Sequence, residues 1–123
     1  MTMALILGLA QPLVAQTKNL SVKRGETVQI FSWMYFDDNC RITSIPKIRA
    51  QSKPRLGKLQ LGTGNIRINR VVDQRQANCI GKTRKGAIVS YTAGDVSGLD
   101  KFTLVRKREN GKNAKVTFEV SVN

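Results

Sequence analysis

The strongest constraint on the fold is an alternation of apolar and polar residues with a period of two. In the C-terminal segment it places four apolar side chains on one face of a predicted strand: Val116, Phe118, Val120 and Val122. Such a strand has one buried face and one face in water. The Asn110-Gly111 pair before it suits the positive dihedral angles of a tight turn. The pattern therefore predicts a β-hairpin in this part of the chain.

The same alternation recurs in short segments that are separated by Gly-containing turns. These further strand candidates are residues 20–23, 27–36, 45–51, 58–61, 65–71, 87–92 and 102–108. We expect 27–36 to be a long central strand and 62–65 to be a hairpin turn. Seven or eight short strands predict an all-β fold, in which residues 16–123 form a single β-sandwich domain.

Residues 1–15 have the pattern of a secretory signal peptide. An uncharged aliphatic run, MALILGLA, is followed by a proline and by a small residue at Ala15, near which we expect cleavage. The run is too short to span a membrane as a helix, which needs about 20 residues. Later apolar runs are interrupted by charges, so no transmembrane insertion is expected. The chain is therefore predicted to be periplasmic or secreted.

The predicted export determines how the two cysteines are interpreted. In an oxidising compartment Cys40 and Cys79 most simply form one intrachain disulfide, because no third thiol competes with them. The alternative is a reactive thiol. The chain has no histidine to activate one and no Cys-x-x-Cys spacing, so we favour the structural disulfide.

The segment YTAGDVSGLDKF at 91–102 resembles the bacterial cadherin-like and immunoglobulin-like repeats. In those repeats a Tyr-Thr strand end is followed by a Gly-x-Asp-x-Phe segment, which is matched here by Gly98, Asp100 and Phe102. The upstream segment KPRLGKLQL resembles their Pro-x-x-Gly turn. The resemblance implies an immunoglobulin-like or cadherin-like β-sandwich, with Asp100 hydrogen-bonded to backbone amides of a corner loop and Phe102 in the core.

The chain lacks residues that most catalytic and metal-binding sites need. Without histidine, the chain has no base for a Ser-His-Asp triad and lacks the common ligand of zinc and haem. Four of the carboxylates lie in no recognisable catalytic motif: Glu26, Asp37, Asp38 and Asp73. Although repeats of the resembled kind often bind calcium, Asp95 and Asp100 are the only carboxylates near the matching segment. We therefore expect a non-enzymatic protein without metal or cofactor.

Charge is the most informative remaining feature. The chain has 21 Lys and Arg against 8 Asp and Glu, which gives a formal net charge of +13. The stretch 41–85 holds twelve of these cations and Asp73 as its single acidic residue. A field of this kind concentrates anionic partners and accelerates their association in a salt-dependent way. The alternative is that the cations merely keep the surface soluble.

Period-two alternation predicts which of these cations face outward on strands. They are Lys47, Arg49, Lys58 and Arg67, and they form a positive sheet face if their strands share a sheet. A second basic loop is predicted at Lys82, Arg84 and Lys85. We interpret both groups as candidate anion-binding residues.

An aromatic cluster admits two interpretations. Phe31, Trp33, Tyr35 and Phe36 lie in a segment that is apolar on both faces, which favours packing in the core, with Tyr35 and Phe36 nearest the surface. Aromatic rings on a surface could instead stack on sugars or bases.

These features predict a small exported binding or structural module that contacts an anionic component of the cell envelope, such as an acidic polymer or lipid headgroup. One alternative is a nucleic-acid-binding small β-barrel, which the export signal and the absence of an RNP-like motif disfavour. Another is an inhibitor of an envelope hydrolase, although a cationic hydrolase would be repelled. The sequence does not indicate an oligomeric state.

Overall fold

The computed structural model describes residues 16–123, and the predicted signal peptide, residues 1–15, lies outside the described residues. The described part contains these strands: β1 (Gln16–Val22), β2 (Thr27–Trp33), β3 (Tyr35–Phe36), β4 (Ile42–Ser44), β5 (Ile48–Ser52), β6 (Gly57–Arg67), β7 (Thr83–Ala93), β8 (Gly98–Lys107) and β9 (Asn113–Val122). A 3-10 helix, Gln74–Cys79, lies between β6 and β7. The all-β prediction is confirmed. No helix within 16–123 is long and apolar enough to cross a membrane.

The strands form two larger sheets and a short ribbon. The first sheet has the order β1-β9-β8-β5 and the second has the order β2-β7-β6, while β3 pairs with β4. Paired strands are antiparallel except for β1, which runs parallel to β9. The pair β8 and β9 is the hairpin that the sequence pattern predicted, and Gly111 in its turn has a φ of 85°. Glycine adopts this left-handed conformation without steric cost.

One hydrophobic core is shared by the two larger sheets. Tyr91 of β7 stacks on Phe102 of β8 with ring centroids 5.6 Å apart, and Phe102 stacks on Phe118 of β9 at 5.3 Å. All three side chains are fully buried. Burying an aromatic side chain of this size stabilises a fold by roughly 1.5–3 kcal/mol. The ring stack therefore holds the inner faces of the two sheets together.

A buried carboxylate lies at the edge of this stack. Asp100 is 1% exposed and accepts hydrogen bonds from the amides of Arg55 and Leu56 at 2.8 and 2.9 Å. The Tyr91 hydroxyl donates a further bond at 2.8 Å. Burial and then this hydrogen bond raise the pKa of Tyr91 above its usual range. Asp100 thus connects β8 to the second sheet and to the β5–β6 connection.

The predicted central strand at 27–36 is wrong in its position and its length. The strand breaks at Met34, and β2 lies at the edge of its sheet. Both faces of the segment are apolar for a different reason. Ile30 and Phe31 pack against the main core, whereas Met34 and Phe36 pack against the cluster around Cys40 and Cys79. The alternation of apolar and polar residues predicts that a side chain is buried, but it does not identify the residues that pack against it.

The predicted hairpin turn at 62–65 is also wrong, because β6 continues through it. A Cβ on Gly64 would lie 2.7 Å from Cδ1 of Ile88, and a Cβ on its partner Gly86 would lie 2.6 Å from Cδ1 of Ile66. The isoleucines of the two paired strands therefore occupy the space that side chains at 64 and 86 would need. Glycine serves close packing here, not chain reversal.

The predicted disulfide between Cys40 and Cys79 is confirmed. Both cysteines are buried, and together with Ile68 they form a second, smaller core. The bond joins the turn before β4 to the end of the 3-10 helix, 39 residues apart in sequence. It fixes the long β6–β7 connection against the side of the domain.

Replacing both cysteines, Cys40→Ala with Cys79→Ala, should lower the free energy of unfolding by roughly 4 kcal/mol, because the unfolded chain regains the entropy of an open loop. Urea denaturation of the oxidised protein and the variant measures this difference. A loss below about 1 kcal/mol would show that the bond constrains the fold far less than chain entropy implies.

Asp100→Ala should lower the free energy of unfolding by about 3 kcal/mol or more, because it removes the acceptor of three backbone amides, those of Arg55, Leu56 and Lys101, and of the Tyr91 hydroxyl. The matched control is Asp95→Asn, which removes an exposed carboxylate and should change stability by less than about 0.5 kcal/mol. Equal effects of the two variants in urea denaturation would contradict the assigned role of Asp100.

Candidate anion-binding groove

A groove of about 1000 Å³ lies along the edge of β2 that pairs with no neighbouring strand of its sheet. Its wall contains aromatic side chains of β2 and β3, the connection after β6, and the last residues of β8 with the turn that follows. We call this site the groove and define it by six lining residues: Phe31, Trp33, Arg67, Arg70, Arg106 and Arg108. It brings together aromatic rings and cations that are distant in the sequence.

Two neighbouring aromatic rings on one side of the groove each have a cation over the ring face. The guanidinium carbon of Arg106 lies 3.7 Å from the centre of the Trp33 ring, and Trp33 is stacked on Phe31 at 6.0 Å and 13°. The Lys18 ammonium lies 5.6 Å from the centre of the Phe31 ring. A cation over an aromatic face stabilises a structure by about 0.5–2 kcal/mol, increasing as water is excluded. Each of the two cations is therefore attracted to the face of a neighbouring ring.

Arg106 is held from a second direction by Tyr35. Its Nη1 donates to the Tyr35 hydroxyl at 2.7 Å, and that hydroxyl donates to the backbone carbonyl of Lys107 at 3.1 Å. Both side chains are partly buried. A guanidinium that is stacked on one residue and hydrogen-bonded to another has lost most of its rotamer freedom before any ligand arrives.

The charge of the groove is positive. Its lining has five cationic side chains, which are Lys18, Arg67, Arg70, Arg106 and Arg108, against the carboxylates of Asp73 and Glu109. Asp73 accepts several hydrogen bonds from Arg75, the shortest from Nη2 to Oδ2 at 2.7 Å. These hydrogen bonds lower the pKa of Asp73. Glu109 accepts a hydrogen bond from the Thr43 hydroxyl at 3.3 Å. Neither carboxylate forms an ion pair with an arginine of the groove.

Few cations of the domain are neutralised internally. All 21 Lys and Arg lie within the described residues, as do all 8 Asp and Glu. Among them the structure forms three ion pairs: Arg41–Asp37, Arg75–Asp73 and Lys101–Glu119. Such exposed pairs contribute about 1 kcal/mol or less each. The net charge is therefore available to attract an anionic partner.

The predicted outward cations do not form one sheet face. Arg49 lies on β5 in the four-stranded sheet, whereas Lys58 and Arg67 lie on β6 in the three-stranded sheet. Because β6 is continuous, pleat alternation places Lys58 and Arg67 on opposite faces. Arg67 lines the groove, and Lys58 and Arg49 are exposed elsewhere. The condition for a single positive sheet face is therefore not met.

The remaining predicted cations are divided between two places. Lys47 and Lys85 line a second, smaller cleft of about 540 Å³ on the opposite side of β7 from β2. Arg84 donates from Nε to the carbonyl of Cys40 at 2.7 Å and from Nη1 to that of Thr83 at 2.7 Å. Lys82 is exposed beside it. Arg84 thus stabilises the disulfide turn and has fewer donors left for a ligand.

Sequence reasoning missed Arg106, although the pattern contained a signal for it. Asp100, Phe102 and Leu104 are buried at alternate positions of β8, and Arg106 continues this inward series. A charged residue at an inward position must reach solvent or bind a partner. It also missed the accessibility of Trp33, because the segment appeared to be covered on both faces, whereas its aromatic residues are partly buried.

No protein-family model matches the chain, and no curated protein matches it. Among solved structures, the solution structure of amebosin is similar to it with a TM-score of 0.45 and 15% sequence identity. The match covers 89% of this chain and 99% of that one. The functional assignment therefore depends on the groove itself.

Trp33 is the single tryptophan of the chain, so intrinsic fluorescence reports on the groove directly. Replacing Arg106 by Ala should shift the emission maximum to longer wavelength, because removal of the stacked guanidinium opens one face of the indole to water. The control variant Arg24→Ala removes an exposed cation outside the groove and should leave the spectrum unchanged. Identical spectra for all three proteins would contradict the stacking.

Proposed function

We propose that the protein is an exported, non-enzymatic binding module that contacts an anionic component of the cell envelope through its basic surface. The observation that carries the proposal is the groove, where fixed aromatic rings and unpaired cations line one cavity. Aromatic surface supplies contact area, while arginine and lysine supply attraction and hydrogen bonds to phosphate or carboxylate groups.

Export is part of the proposal. It is supported by the signal-like pattern of residues 1–15 and by the disulfide between Cys40 and Cys79, since disulfides persist in oxidising compartments. A periplasmic or secreted protein meets an environment rich in acidic polymers and lipid headgroups. Its net charge of +13 would raise the rate of encounter with them and make binding sensitive to salt.

We further propose that the scaffold is an immunoglobulin-like or cadherin-like β-sandwich. Two features support this assignment: the core shared by the two larger sheets, and the hydrogen bonds from the amides of Arg55 and Leu56 to Asp100. In such a scaffold Asp100 and Phe102 are structural residues. Binding then belongs to the sheet edges and the connecting loops.

A nucleic-acid-binding role is the second candidate, and the partial exposure of the aromatic residues favours it. A basic groove with accessible rings can follow a phosphate backbone and stack bases. The signal-like pattern of residues 1–15 and the absence of an RNP-like motif weigh against this role. We therefore favour the envelope component.

The proposal predicts binding of the purified protein to anionic phosphatidylglycerol vesicles or to an oligogalacturonate, with negligible binding to neutral phosphatidylcholine vesicles. Affinity should fall at least tenfold between about 20 and 200 mM salt, because the attraction is screened. Titrations followed by Trp33 fluorescence or calorimetry measure this. Absence of binding to every anionic probe, or binding indifferent to salt, would refute the proposal.

Two double variants that each remove two positive charges test whether the ligand binds in the groove. Arg106→Ala with Arg108→Ala removes two cations from the groove, and Arg24→Ala with Arg55→Ala removes two exposed cations that do not line it. Since net charge falls equally in both, a general field effect would weaken binding equally. The groove variant should be weakened roughly tenfold more than the control. Stronger binding of single-stranded DNA than of either envelope probe would favour the second candidate.

A further inference from the structure

One edge of the Arg106 guanidinium is left without a protein partner. Nη1 is used by the Tyr35 hydroxyl, whereas Nε and Nη2 donate to no acceptor among residues 16–123. Every buried side-chain nitrogen and oxygen of the described residues has a hydrogen-bond partner. Nε and Nη2 must therefore reach the water in the groove.

The two free N–H groups point in the same direction. In an arginine, Nε–H and one N–H of Nη2 are parallel and match the two oxygens of a carboxylate. Trp33 and Tyr35 hold the guanidinium, so this two-donor edge is already oriented. A ligand that binds there loses less of its affinity to the ordering of a side chain.

The charge around Arg106 indicates that its free Nε and Nη2 donors bind an anionic group. Arg106 has no ion-pair partner among the described residues, and Arg67, Arg70 and Arg108 line the same groove. The Arg106 guanidinium carbon lies over the Trp33 ring, 3.7 Å from its centre. A carboxylate that accepts both hydrogen bonds from this edge therefore lies close to the aromatic rings of the groove.

The neighbouring side chains indicate what carries the carboxylate. Phe31 and Trp33 offer partly exposed apolar rings, and the groove is also lined by neutral polar groups, among them Gln29, Ser32 and Asn69. A sugar ring combines an apolar C–H face with hydroxyl groups that suit amide and hydroxyl partners. A cavity of about 1000 Å³ accommodates more than one such ring.

We propose that Arg106 binds the carboxylate of an acidic sugar through Nε and Nη2, and that the groove is a site for an acidic polysaccharide. Trp33 and Tyr35 are positioning residues for this contact. The inference rests on the proposed function and narrows it, because it selects a carboxylate-bearing glycan among the anionic components of the envelope.

The decisive variant is Arg106→Lys, which keeps the charge and removes the two-donor edge. Binding of an oligogalacturonate should weaken about tenfold or more, since both charge-assisted hydrogen bonds lose their geometry. The matched control Arg24→Lys changes an exposed arginine outside the groove and should bind like the unchanged protein. Circular dichroism and urea denaturation establish that both variants are folded.

A second probe separates the carboxylate from the sugar. The same oligosaccharide with its carboxyl groups reduced to alcohols should bind at least tenfold more weakly to the unchanged protein. Equal binding of the two would overturn the inference, because the rings alone would then account for affinity. Stronger binding of poly-glutamate or of phosphatidylglycerol vesicles than of the oligogalacturonate would also overturn it, in favour of a peptide or a lipid surface.

Two outcomes distinguish this inference from the proposed function. If Arg106→Lys binds oligogalacturonate like the unchanged protein while binding stays salt-dependent, the inference fails and the function stands. If no anionic probe binds, both fail. Should Arg106→Lys not fold, Tyr35→Phe tests the same edge through its orientation. It should weaken oligogalacturonate binding several-fold and shift the Arg106 Nε–H resonance, and an unchanged affinity and resonance would overturn the inference.

Discussion

The fold depends on one buried carboxylate. Asp100 accepts hydrogen bonds from the amides of Arg55 and Leu56 and from the Tyr91 hydroxyl, and so connects β8, the β5–β6 connection and the second sheet. A buried carboxylate without such donors would destabilise the domain. With them, it fixes where the chain crosses between the sheets. The aromatic stack of Tyr91, Phe102 and Phe118 then packs in one arrangement.

A rigid core allows the surface to retain its unbalanced charge. Three ion pairs for 21 basic residues leave most of the electrostatic potential uncompensated, and self-repulsion of this kind opposes compaction. The disulfide between Cys40 and Cys79 counteracts it where the basic residues are densest. Arg106 is also stabilised without an opposite charge. A partly buried guanidinium usually pairs with a carboxylate, and here stacking on Trp33 and a hydrogen bond to Tyr35 take its place.

The sequence allowed the all-β class, the disulfide and the C-terminal hairpin to be predicted, because alternation and cysteine number are local or compositional signals. It did not allow the sheet partners to be predicted. Gly64 resembles a turn residue in sequence, yet it makes room for Ile88 on the neighbouring strand. The groove was missed for the same reason, since Trp33 and Arg106 are 73 positions apart and meet only through the packing of two sheets. The inward position of Arg106 on β8 was the available clue.

We propose that the cations act on a ligand through the groove and not through the surface as a whole. Mapping of NMR chemical shifts, with an oligogalacturonate added to the labelled protein, tests it most directly. Binding in the groove should give the largest shifts at the Trp33 indole N–H and the Arg106 Nε–H, with small changes at Arg24, Lys58 and Lys115. Shifts spread evenly over exposed lysines and arginines, or confined to the cleft of Lys47 and Lys85, would contradict it.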